Sequence, residues 1–121
     1  MTTATASSFY VEQVRNITVV SFTVTALDEQ NHETISDELL ELVSLIIASR
    51  PIQVVVELSA IRRIDELGLA MLHAFHDSIE DAGGRTILCR LSPGVTNSIR
   101  DAGLLYEFNI LATRGEAVWS F

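Results

Sequence analysis

Apolar positions along this 121-residue chain follow two rhythms. Near the start, FYVEQV and NITVVSFTV alternate or run apolar with β-branched residues, which predicts two strands with Arg15-Asn16 as the turn between them. ALDEQNHET breaks the pattern as a polar loop. From Ile35 the spacing becomes helical, with Ile35, Leu39, Leu42, Val43, Ile46 and Ile47 inward and Asp37, Glu38 and Glu41 on the solvated face. Ser49-Arg50-Pro51 ends that helix. IQVVVELS, almost continuously apolar, predicts a strand covered on both faces.

A second helix follows, with Leu67, Ala70, Met71, Ala74, Phe75, Ser78 and Ile79 along one stripe, widened by Leu69, Leu72 and His76. Asp65 is placed to cap it, and Gly83, of the pair Gly83-Gly84, to stop it as the first residue beyond. RTILCRL predicts a strand. Ser92 and Pro93 open a third helix with Val95, Ile99 and Ala102 inward, and Gly103 ends it. YEFNIL is a last short strand, and GEAVWSF a closing helical turn that docks Val118, Trp119 and Phe121. The order β-β-α-β-α-β-α-β implies a single α/β domain with a mostly parallel five-stranded sheet and right-handed crossovers. Residues 1–8 are expected to form a loose arm and residues 9–121 the domain.

Composition narrows the function. Apolar residues make up 48% and charged residues 20%, a globular balance. No apolar run approaches the roughly 18 residues needed to span a bilayer. MTTATASS lacks the basic end and apolar centre of a signal peptide, so a cytoplasmic location is expected. The formal charge of −8 disfavours nucleic acid and anionic membranes. All eight positive charges are arginine; with no lysine, a P-loop, Schiff-base chemistry and a lysine base are excluded. A phosphate-receiving aspartate site is poorly matched too: Asp28 and Glu29 could supply its acids, but Glu57 lies in the central strand and no lysine completes the set.

The remaining chemistry is sparse. His73 and His76 are three residues apart on one helix, but further ligands and an HExxH pattern are missing, so no metal is expected. The lone Cys89 sits in an apolar strand and reads as a core residue. There is no GxSxG elbow and no glycine-rich phosphate loop. With no catalytic set and no cofactor motif, an interaction module is expected, with the acidic loop and the helix start at Asp65 as its candidate face.

The stretch over residues 54–110 resembles the STAS domain of anti-sigma-factor antagonists. The resemblance rests on Asp65-Glu66-Leu67-Gly68-Leu69, Gly83-Gly84, RTILCRL, Ser92-Pro93 and Gly103-Leu104, in that order. Ala26-Leu27-Asp28 resembles the family's Gly-x-Leu-Asp, with Thr25 in place of the glycine. The resemblance implies a STAS-like fold whose first strand is antiparallel. It also implies a non-enzymatic role and a partner that is both anti-sigma factor and serine kinase. A homo-oligomer is compatible with it. In the family the residue after the motif aspartate is the phosphorylated Ser or Thr; here it is Glu66, followed by Leu67.

On this resemblance Asp28, Asp65, Glu66, Leu67 and Gly68 form the partner-facing site. Asp28 flanks it, Asp65 caps the helix, and Gly68 allows close approach. Glu66 is a stable helix start in a protein whose switch is lost, a fixed charge imitating the phosphorylated state, or a contact for a different partner. The spacing of Leu67 with Ala70 and Met71 assigns it to the core stripe; the alternative is an apolar interface contact. Two other roles stay open by resemblance: an accessory subunit binding the ATPase of a lipid-transporting ABC system, and a nucleotide-binding STAS module.

Overall fold

Gln53–Glu57, the valine-rich run, is the middle of the molecule. Val54 and Val56 point to one side of a sheet and Val55 to the other, and all three are fully buried. The period-two alternation of a strand explains why one run serves two cores. In this computed structural model, which describes residues 8–121, the order is β1 (Phe9–Val14), β2 (Ile17–Phe22), β3 (Ala26–Leu27), α1 (His32–Ile47), β4 (Gln53–Glu57), β5 (Arg63–Ile64), α2 (Glu66–Asp81), β6 (Arg85–Cys89), α3 (Pro93–Asp101), β7 (Asn109–Leu111) and α4 (Arg114–Trp119).

The main sheet runs β1-β2-β4-β6-β7. β1 pairs antiparallel with β2, from Phe9↔Phe22 to Val14↔Ile17, through a turn in which Arg15 takes φ 61°. All other neighbours are parallel. The expected five-stranded sheet with an antiparallel first strand is the one that forms. The larger core fills the face under α1, α2 and α3, with Leu27, Ile35, Leu72, Ile79 and Ile99 at its centre. The smaller one, Ile17, Val19, Val55, Ile87 and Cys89, is closed by Ala117 of α4. A reciprocal capping box between Thr113 and Glu116 holds α4 in place.

Several expectations are corrected. The polar loop ALDEQNHET contains β3 and the start of α1, leaving residues 28–31 as the connection. β3 pairs with β5 in a separate two-stranded parallel sheet, Ala26↔Arg63 and Leu27↔Ile64, too short for any periodicity to reveal. The buried stripe of α2 is Leu69, Met71, Leu72, Phe75, His76 and Ile79, while Leu67, Ala70 and Ala74 are exposed. The helix is rolled because the side lacking a Cβ, Gly68, lies against β3. Ile47 and Ala102 are exposed rather than inward. Tyr106 precedes β7 and lies almost wholly in solvent. Trp119 does not dock; it is 73% exposed, with the Arg15 guanidinium 4.4 Å from its ring centre.

Residues 1–7 of the expected arm lie outside the described residues; Ser8 is buried and its Oγ donates to Glu38 Oε1 at 2.8 Å. Among the described residues no helix is long and apolar enough to cross a membrane.

Candidate functional site

The β3–β5 ladder brings two distant loops side by side. The Asp65 amide donates to the Leu27 carbonyl at 3.0 Å, and the amides of Arg62 and Arg63 both donate to the Thr25 carbonyl. This places the loop after β3, residues 28–31, against the first turn of α2.

Asp65 joins the two. Its Oδ1 accepts from the Gly68 amide at 2.9 Å, the N-cap bond of α2, and its Oδ2 accepts from the Glu29 amide at 3.0 Å in the facing loop. One carboxylate thus satisfies an orphan helix donor and pins a loop 36 residues away in sequence. The Gly68 amide, aided by that of Glu29, holds the Asp65 carboxyl below its ordinary value.

The facing loop is internally braced. Asp28 Oδ1 accepts from the Gln30 amide at 3.0 Å, an Asx turn. The Asn31 side chain accepts from the Asp28 amide and donates to the Ala26 carbonyl. Arg63 approaches Asp28 Oδ2 at 3.5 Å, an exposed pair of the kind worth little in stability. The sequence signals Asp28 and Asp65 by residue type, but Asn31, Glu29 and Arg63 join the site only through the fold.

Gly68 is buried, and a Cβ there would lie 2.3 Å from the Leu27 carbonyl oxygen. The close approach it permits is to this chain's own β3, not to a solvent-facing surface. Leu67 leaves the predicted core stripe and is 43% exposed. Glu66 is exposed at the first position of α2, and among the described residues no ion pair engages it. Its carboxylate is well placed at the positive end of the helix dipole. The fold therefore brings Asp28, Asp65, Glu66, Leu67 and Gly68 into one neighbourhood, with Glu66 and Leu67 outward and Gly68 beneath.

Other reactive groups are occupied by structure. Glu57 Oε1 accepts from the Ser59 amide at 2.7 Å and shapes the turn after β4. Burial raises the Cys89 thiol to about 11, so it stays protonated at neutral pH. His73 and His76 pack edge-on to Phe108, with ring centres 5.6 and 5.1 Å away. Among the described residues no group of three His, Cys, Asp or Glu side chains could hold a metal ion.

Comparison with known proteins adds a family frame. The profile of the STAS domain matches residues 8–117. An anti-sigma factor antagonist from Mycobacterium paratuberculosis superposes with a TM-score of 0.79 at 21% identity, covering 93% of this chain and 92% of that one. The Bacillus cell-fate determinant SpoIIAA, in its phosphorylated form, superposes at 0.64 with 21% identity, covering 93% and 98%. A serine-to-glutamate variant of RsbS from Moorella thermoacetica superposes at 0.73 with 22% identity, covering 91% of each chain. No curated protein matches in sequence.

Proposed function

The chain belongs to the STAS domain family, and from that premise we propose that it is a non-enzymatic regulatory domain of the anti-sigma-factor-antagonist kind. Its partner, an anti-sigma factor of the serine-kinase type, binds the first turn of α2 and the facing loop. Glu66 stands where the family carries its phosphorylatable Ser or Thr and supplies a standing negative charge.

The observation that carries this reading is the exposed pair Glu66-Leu67 on a first turn held by Asp65 from two directions. A surface that must meet a partner in one geometry gains from such bracing, because little ordering entropy remains to be lost on binding. Phosphorylated SpoIIAA and the glutamate variant of RsbS, both of this fold, make charge on such a domain a natural comparison. Glu66 carries one charge where a phosphoserine carries about 1.5 to 2, so it weakens the complex only in part. Asp28, Glu29, Asp65 and Glu66 together disfavour a nucleotide's phosphates at this site.

Calorimetric titration with anti-sigma factors of the serine-kinase type from the same organism tests the proposal. The native chain is expected to bind, and Glu66→Ser to bind about tenfold more tightly, a gain of about 1.4 kcal/mol. ATP should add one phosphate to Glu66→Ser, seen by intact mass, and none within residues 65–68 of the native chain. Absence of binding by both forms contradicts the role.

A further inference from the structure

We propose that the groove between α1 and α2 is a docking site for a basic amphipathic helix of a partner protein. The groove, about 250 Å³, is walled by Leu39, Leu40 and Val43 from α1 and by Met71, Ala74 and Phe75 from α2. Leu40 is 63% exposed, and Ala74 is also open to solvent. Leu67 stands on the same row of α2 as Met71, Ala74 and Ser78, at spacings of four, three and four, and carries the apolar surface to the helix start. Ile47 does the same at the far end of α1, on the row of Leu40 and Val43. The lining spans residues 36–43 of α1 and 71–78 of α2, about 12 Å along each helix, a length that matches two turns of a docked helix.

Charge identifies the occupant. α1 carries Glu33, Asp37, Glu38 and Glu41; α2 carries Glu66, Asp77, Glu80 and Asp81; neither has an arginine. The chain's other eight acids are matched by its eight arginines, so the entire formal charge of −8 resides on the two helices that wall the groove. Helical spacing puts Glu33, Asp37 and Glu41 along the outward edge of α1, and Glu66, Asp77 and Asp81 along that of α2. An apolar trough between two acidic rims is complementary to a helix with an aliphatic stripe flanked by Arg or Lys. A second copy of this chain would set acid against acid, and an anionic membrane would be repelled in the same way. The inference does not rest on the reading of Glu66 as a standing charge.

The test uses the full chain and labelled 18-residue peptides of leucine and arginine. One has its leucines in a single helical stripe; the other has the same composition scrambled. Fluorescence anisotropy should show the amphipathic peptide binding at least about tenfold more tightly than the scrambled one, with affinity falling as salt rises. Ala74→Arg, an exposed position that fills the trough, should weaken binding by about tenfold or more. Asp37→Asn combined with Glu41→Gln should reduce both affinity and salt dependence, with circular dichroism unchanged. Equal binding of the two peptides, or no effect of either variant, overturns the proposal. So does sedimentation showing the native chain as a dimer that Ala74→Arg dissociates, since the groove would then belong to a second copy.

Discussion

Three helices among the described residues, α2, α3 and α4, begin with a side-chain cap and a glycine in the first turn. The α4 glycine stands clear, with nothing nearer than 3.9 Å to a Cβ on Gly115, whereas those of α2 and α3 each lie against a carbonyl. At α3, Ser92 Oγ accepts from the Val95 amide at 3.3 Å, Pro93 fills the first position, and a Cβ on Gly94 would meet the Arg62 carbonyl at 3.1 Å. At α2, Asp65 accepts from both its own helix and a facing loop, and a Cβ on Gly68 would lie 2.3 Å from the Leu27 carbonyl. α3 starts with ordinary capping and a glycine contact that is tight by only a few tenths of an ångström. α2 starts under constraint from three sides while still presenting a charged and an apolar side chain to solvent. The difference shows where the fold fixes geometry beyond what ending a strand and starting a helix requires.

The largest effect expected from breaking this contrast is at the glycines. Gly68→Ala forces the Leu27 carbonyl or the helix to move and should cost about 3 kcal/mol in denaturant unfolding. Gly94→Ala has only a few tenths of an ångström to find and recovers helix propensity, so its effect should stay within about 1 kcal/mol. Equal losses at both positions would remove the distinction between the two starts.

The caps come next. Ser92→Ala should cost about 1 kcal/mol. Asp65→Ala, which loses the cap and the bond to the Glu29 amide together, should destabilise more, and faster amide exchange should appear at residues 29–31 as well as in the first turn of α2. Acid sharpens the same point. The Asp65 carboxyl is held below its ordinary value of 3.8, chiefly by the Gly68 amide. A lowered folded-state pKa gives stability that is fully present above the unfolded value and is lost as pH falls through the folded one. The stability gap between the native chain and Asp65→Asn should therefore be steady above about pH 4 to 5 and narrow in stronger acid, while that for Ser92→Ala should not. The smallest effect is expected from Glu66→Gln, which removes only an exposed charge at the helix dipole and should cost about 0.5 kcal/mol.

Much of the fold was legible because its signals are local. The valine run at β4, the spacing from Ile35 to Ile46, and the caps Asp65 and Ser92 each follow from a few neighbouring residues. What was not legible depends on contacts between distant segments. Two-residue strands have no period, so β3 and β5 surface only when Leu27 and Ile64 meet. Gly68 looks like any small residue until the Leu27 carbonyl is above it, and that contact rolls α2 and turns Leu67 out. Asp28 and Asp65 were visible as residue types suited to a loop and a cap; the bond from the Glu29 amide that unites them was not. The closing turn GEAVWSF predicts docking of Val118, Trp119 and Phe121, yet Trp119 stays in solvent and the smaller Ala117 fills the space under α4.

The central claim is that the braced first turn of α2 is the surface a partner protein meets. Backbone amide NMR during titration of the native chain with an anti-sigma factor of the serine-kinase type that binds it tests it most directly. The account predicts the largest shifts and broadening at residues 28–31 and 65–69, with the first turn of α3 unmoved. Binding that leaves residues 65–69 unperturbed while shifting amides elsewhere would contradict it.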